Sequence, residues 1–267
     1  MSACSAGSSR PTSGAASTLP VTKPTPEAVS RFFGPHLTAE DFGSFGTDRM
    51  TVVPAGDLRV TAALQVFYPA NSASQLSSRA DETSAGGAQL YLAWKSGPVD
   101  SAYLSYYLRI PRGFDFVKGG KLPGLYGGRV TSGRHIPDGA NGFSTRYMWR
   151  KGGTGEVYAY LPTSVKHGMS LGRGSWQWPT GVWARVQQHV VLNDPERSNG
   201  VLQVWLNGQL VLDRHDLKYR NTTELKVQGL FFSTFFGGGD QTWATPVDQR
   251  IEFGEFVMSN AYVGTNG

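Results

Sequence analysis

Ser144, Arg146, Tyr158 and Tyr160 sit in two short runs, FSTRYMWR and EVYAYLP, joined by the five residues KGGTG. A linker of that length and composition suits a hairpin turn. A turn centred on Gly153 sets Arg146 opposite Tyr160 and Met148 opposite Tyr158. Side chains alternate along a strand, so Ser144, Arg146 and Met148 share a face, and Tyr158 and Tyr160 join it from across the ladder. A hydroxyl, a guanidinium and two phenols then converge, whereas a slip of one residue would separate them. The set holds no carboxylate to pair with Arg146. An unpaired arginine beside two tyrosines suits a carboxylate ligand, gripped by two parallel hydrogen bonds, and phenols can move protons next to it. The competing reading is an ordinary solvated strand face with common cross-strand pairs.

Upstream lies Lys118–Gly128, KGGKLPGLYGG, in which six of eleven residues are Gly or Pro. Glycines let another molecule approach the backbone, and Lys118 and Lys121 add charge where that happens. A phosphate cradle would need G-x-x-x-x-G-K-[ST] opening a helix. Here Lys121 is followed by Leu122 and Pro123, and no helical period follows. The segment is read as a Gly-rich loop forming one wall of a cleft.

A second polar strand face is formed by Arg185, Gln187 and His189 in WARVQQHVVL, with Val186, Gln188, Val190 and Leu192 on the other side. His189 is a base, an anion ligand or a satisfied polar group. His135, His167 and His215 show no metal spacing. Trp149, Trp176, Trp178 and Trp243 are candidates for stacking on sugar rings. FSTFFGGGDQTW reads as a strand ending in a Gly-rich loop, with Phe236 and Trp243 either walling a cleft or belonging to the core. Paired carboxylates for a hydrolase are not evident, since Glu252 and Glu255 fall on opposite strand faces, and Asp115 and Glu156 have no same-face acidic partner.

The elements that position these groups are strands. Runs at 58–68, 89–94, 103–110, 143–150, 156–161, 183–192, 201–206, 209–213, 226–236 and 250–258 are rich in Val, Leu, Phe, Tyr and Trp, most of them separated by Gly, Pro, Asn and Asp. Asn207-Gly208 between VLQVWL and QLVLD is a two-residue hairpin signal. Many strands and almost no helix predict an all-β, antiparallel sandwich or barrel, with a jelly roll preferred. Residues 1–25 read as a Ser/Thr/Gly/Pro-rich disordered tail, a short helix is expected from Thr25 to Phe33, and 26–267 as one domain. Residues 69–88 read as a mobile loop.

The 267 residues carry a formal charge of +5 and one cysteine, Cys4. That rules out an intrachain disulfide and a cysteine zinc cluster. The mild positive charge fits an anionic partner, but no basic run tracks a phosphate backbone and no stretch approaches a membrane span. We therefore expect neither a nucleic-acid nor a membrane partner. No signal-peptide core is visible.

The ordered motifs FDFVKGGKLPGLYGG, FSTRYMWR, EVYAYLP, RVQQHVVLN, NGVLQVWLNG and FFSTFFGGGDQTWATP resemble polysaccharide lyase family 14, over roughly residues 58–258. That resemblance implies a β-jelly roll of two antiparallel sheets with a concave substrate cleft. It also implies β-elimination on 4-linked uronic acid polymers, glucuronan or alginate, by a secreted and monomeric enzyme. By resemblance Lys121 matches the family's essential lysine, Ser144 and Arg146 its S-x-R strand, and Tyr158 and Tyr160 its Y-x-Y strand. Arg146 and Lys121 would neutralise the uronate carboxylate, with Ser144 as a further donor. Tyr158 or Tyr160 would serve as base, acid or both, and Lys121 is an alternative base. Lys118, Arg185, Gln187, His189 and Trp243 would bind substrate, although Gln188-His189 departs from the family pattern. No cofactor is expected beyond a structural calcium ion, for which loop Asp and carbonyl groups would suffice. A hydrolase and a non-catalytic lectin are the competing classes.

Overall fold

A computed structural model describes residues 32–74, 84–133 and 135–264. In chain order its strands are β1 (Leu37–Ala39), β2 (Met50–Pro54), β3 (Ala62–Tyr68), β4 (Ser72–Ala73), β5 (Ser84–Ala85), β6 (Ala88–Trp94), β7 (Ser101–Arg109) and β8 (Gly119–Gly128). They continue as β9 (Gly142–Arg150), β10 (Gly155–Tyr160), β11 (Met169–Leu171), β12 (Trp183–Val191), β13 (Gly200–Leu206), β14 (Gln209–Leu217), β15 (Gly229–Phe236) and β16 (Gln249–Ser259). Two seven-stranded antiparallel sheets form, ordered β1-β6-β15-β8-β9-β10-β11 and β14-β13-β12-β7-β16-β3-β2. They make a jelly-roll sandwich, as expected from the strand spacing.

Alternation decides which side of each strand is core. In β9, Phe143, Tyr147 and Trp149 join the main apolar cluster, as do Val157 and Ala159 of β10. They meet Leu104, Tyr106, Val186, Val190 and Phe253 from the second sheet. One polar pair bridges the layers: Gln188 Nε2 donates to the Thr145 carbonyl at 3.1 Å, and the Thr145 hydroxyl donates to Gln188 Oε1 at 2.5 Å. Both side chains are buried, so neither is left with an unmade bond.

Each of the ten runs read as a strand contains one, and Asn207 and Gly208, at φ 50° and 84°, close the expected two-residue hairpin. The main correction is β8. The segment read as a loop is a central strand between β15 and β9. Its glycines are there because the neighbours are bulky: a Cβ on Gly120 would meet the Trp149 ring and the Phe235 carbonyl. Pro123 falls at a bulge, where the register against β9 shifts between Leu122 and Gly124.

Part of the loop read at 69–88 is paired instead, as β4 and β5 form a small parallel sheet. The tail at 1–25, and all but the end of the helix expected from Thr25, lie outside the described residues. Phe33 is buried against Phe232 and Phe256, with ring centroids 5.1 and 4.7 Å apart.

Candidate active site

The core takes one face of the first sheet, and the other face carries the predicted cluster. β9 and β10 pair as Arg146 with Tyr158 and Ser144 with Tyr160. The register is two residues away from the one expected, because the turn centres on Gly152 rather than Gly153. Arg150 N–H donates to the Thr154 carbonyl at 2.7 Å, and Gly152 and Gly153 take φ 71° and 82°. A two-residue slip keeps every side chain on its face, so the convergence survives with different partners.

The bulge in β8 brings Lys121 to the same side. Leu122 and Leu125 both point into the core, whereas Lys121 pairs beside Met148, and Gly124 beside Arg146. The Pro123 carbonyl turns inward and accepts from the Tyr106 hydroxyl at 2.9 Å. Lys121 is therefore on the cleft floor, not on a wall. Its Nζ lies 3.1 Å from Met148 Sδ and 4.2 Å from the Tyr158 ring centroid. Only 6% of the residue is exposed. Burial, with Arg146 and Arg150 nearby, holds its proton affinity well below that of an ordinary lysine, with Glu156 opposing.

Arg146 is fully enclosed. Nη1 donates to Ser233 Oγ at 3.0 Å, and Ser233 in turn donates to Gln89 Oε1 at 3.0 Å. The guanidinium lies 4.6 Å from the Phe231 ring centroid and 5.9 Å from that of Tyr160. Its Nε is buried without a hydrogen-bond partner. Burial lowers its proton affinity, although a guanidinium remains charged. A desolvated donor of this kind is costly unless something fills it.

The two tyrosines differ. The Tyr160 hydroxyl donates to the Gly133 carbonyl at 2.5 Å, which fixes it. Tyr158 is half-buried, and none of the described residues hydrogen-bonds its hydroxyl. Burial first, then Tyr160, pushes its phenol up to about 12, against the pull of Arg150 and Arg146. The rings stand edge to face at 5.8 Å. Ser144 Oγ donates to the Thr131 carbonyl at 2.6 Å, so its proton serves to hold the segment after β8 over the cleft.

Sequence reasoning passed over Arg150, and weighed Glu156 only as a hydrolase carboxylate; both continue the same faces. Glu156 is fully buried and takes hydrogen bonds from Arg150 and Arg173, both as close as 2.6 Å. It therefore has no free oxygen to act as a hydrolase acid. Carrying the alternation of β9 one step past Met148 would have found Arg150. The Gln89 and Ser233 support had no signal in the sequence, because it depends on how β6 and β15 pair.

Other expected site residues lie elsewhere. Arg185, Gln187 and His189 occupy the outward face of the second sheet, across the core from Lys121, and do not join the cluster. The alternation of β12 is the one expected from the sequence, and the strand lies in the second sheet. His189 stacks on Tyr103 at 3.9 Å and hydrogen-bonds Ser101 and Gln203. Arg185 donates to the carbonyls of Val263 and Gly264 at 2.6 and 2.7 Å. Of the candidate stacking rings, Trp149, Trp176 and Trp178 are buried in the core, as is Phe236. Trp243 is partly exposed, 6.0 Å from the Arg150 guanidinium. Lys118 is exposed beside it, donating to Thr242 Oγ1. No group of three or more His, Cys, Asp or Glu side chains fit to hold a metal ion occurs among the described residues.

A partly desolvated cationic floor beside a free phenol can bind a carboxylate and move a proton next to it. Comparison with known proteins points the same way. The family model for polysaccharide lyase 14 matches residues 58–256. The crystal structure of the marine PL-14 alginate lyase from Aplysia kurodai superposes with a TM-score of 0.75 at 29% identity, over 91% of this chain and 97% of that one. The alginate lyase vAL-1 from Chlorella virus gives 0.71 at 20% identity, over 86% and 95% of the two chains. The endo-β-1,4-glucuronan lyase from the fungus Trichoderma reesei gives 0.56 at 10%, over 84% and 90%. No curated protein sequence matches the chain.

Proposed function

The chain belongs to polysaccharide lyase family 14 and is a lyase of uronate polymers, and we propose that it works by β-elimination, with Lys121 as base and Tyr158 as acid. The observation that carries this is the Arg146–Lys121 pair. Arg146 Nε is buried and unpartnered, and the lysine beside it is one whose burial favours the neutral amine. Arg146 takes the uronate carboxylate, whose negative charge grows as the C5 proton leaves. A preorganised donor at such a charge contributes about 2.7–4 kcal/mol in comparable sites.

The neutral Lys121 amine removes the C5 proton, and the electron pair forms the C4–C5 double bond. The C4–O4 bond breaks, and the leaving oxygen takes the Tyr158 proton. The lysine ammonium then returns its proton to the phenolate beside it, so the enzyme ends unchanged. Tyr158 suits donation, since a phenol held near 12 stays protonated at neutral pH. Tyr160 and Ser144 act as positioning residues through Gly133 and Thr131. Arg146 supplies the positive charge at the carboxylate, and the scheme is written without a metal or cofactor.

Alginate is the first substrate to try, because the alginate lyase at 29% identity lends more support than the glucuronan lyase at 10%. We expect it to act on its polymer outside the cell, as a monomer and with neither nucleic acid nor membrane as a partner. Tyr158→Phe and Tyr160→Phe, assayed separately, test the acid. Tyr158→Phe lowers kcat about 10²–10⁴-fold, whereas Tyr160→Phe costs less. Full activity in Tyr158→Phe overturns Tyr158 as the acid, and full activity in both variants overturns any tyrosine role.

A further inference from the structure

The outward face of the first sheet holds more positive charge than one carboxylate requires. Arg146 and Lys121 meet the reacting sugar, yet Arg150 extends the same face toward Trp243. Arg150 is locked from one side: Nε and Nη2 donate to Glu156 Oε1 at 2.9 and 2.6 Å. Glu156 is itself fixed, with its second oxygen accepting from Arg173 at 2.6 Å and its first from Ser170 at 3.1 Å. Among the described residues nothing accepts a proton from Arg150 Nη1. The guanidinium carbon lies 5.6 Å from the Tyr158 ring centroid and 6.0 Å from the Trp243 ring, between the proton donor and the cleft rim.

A polyuronate presents a carboxylate on every sugar, so a chain lying over Tyr158 places a second one near this arginine. We propose that Arg150 and Trp243 form a second uronate subsite, in which Nη1 bonds the carboxylate of the sugar next to the reacting one and the indole covers that sugar's apolar face. This rests on the lyase reading above. Glu156 is the positioning residue: by holding Nε and Nη2 it fixes the guanidinium plane and aims the Nη1 hydrogens at that carboxylate.

The test uses the whole protein with alginate and with the same polymer partly methyl-esterified. In the wild type, esterification raises KM. Arg150→Gln raises KM for the unmodified polymer about 10- to 100-fold, the range of a charge-assisted hydrogen bond, with a smaller change in kcat. It also responds less to esterification than the wild type does. Arg150→Lys keeps a cation beside Glu156 and covers the case in which the Gln variant fails to fold; it too raises KM, by less. A wild-type KM and an unchanged response to esterification in a folded Arg150 variant overturn the subsite and leave the lyase reading standing. Absence of unsaturated product from the wild type overturns the lyase reading instead.

Discussion

At the residue scale, the base proposed at Lys121 sets function against stability. Its amine is buried among two guanidinium groups, and its proton affinity in the folded chain lies well below that in the unfolded one. Between those two values the unfolded chain binds more protons, so stability rises with pH there, and the native state is penalised below. Lys121→Met fills the same space without the amine. It is expected to gain about 0.5–2 kcal/mol at neutral pH, to flatten that pH slope in denaturant titrations, and to lose at least about 10²-fold in activity. A variant that remains active, or keeps the slope, contradicts the placement of a strained base at Lys121. The shared face of Arg146, Tyr158 and Tyr160 was legible in the sequence because parity alone assigns a face, and parity survived a register error of two. The partners of these groups were not legible. Ser144 spends its proton on Thr131, and Tyr160 on Gly133, contacts made by a segment whose path no local pattern gives.

At the scale of the element, β8 departs most from local expectation. Its Gly and Pro content argues for a loop, and tertiary context overrides that. Trp149 and Phe235 crowd the two neighbouring strands, and only glycine at 120 lets the ladders close. The bulge at Pro123 then shifts the alternation, so that Lys121 and Arg146 face the same way. Gly120→Ala therefore costs about 1–3 kcal/mol through overpacking. It should appear as a lower denaturant midpoint with an unchanged m-value, together with reduced activity because Lys121 is next in the chain. A midpoint equal to the wild type would mean that the strand has slack the packing does not show. The hairpin between β9 and β10 was legible in kind and misplaced by one residue at its centre, since KGGTG offers two glycines able to take positive φ.

At the scale of the molecule, the two outward faces of the sandwich have different characters. One carries Lys121, Arg146 and Arg150 over an aromatic floor of Tyr91, Tyr126 and Phe231. The other carries Arg185 and His189, already engaged by the chain's own groups. Strand count and spacing gave the layered architecture, but assigning a strand to a sheet depends on pairing across long separations. β12 shows this, since its polar face was legible but its layer was not. The overall charge of +5 suits a polyanion without choosing its site, whereas the desolvated guanidinium groups on one face are the ground for the site proposed above. The central claim is that this face eliminates across the C4–O4 bond instead of hydrolysing it. The direct measurement follows wild-type protein on polymannuronate, counting new reducing ends and ultraviolet absorbance together. The account predicts one conjugated unsaturated uronate for each new reducing end; reducing ends that appear without that absorbance would contradict it.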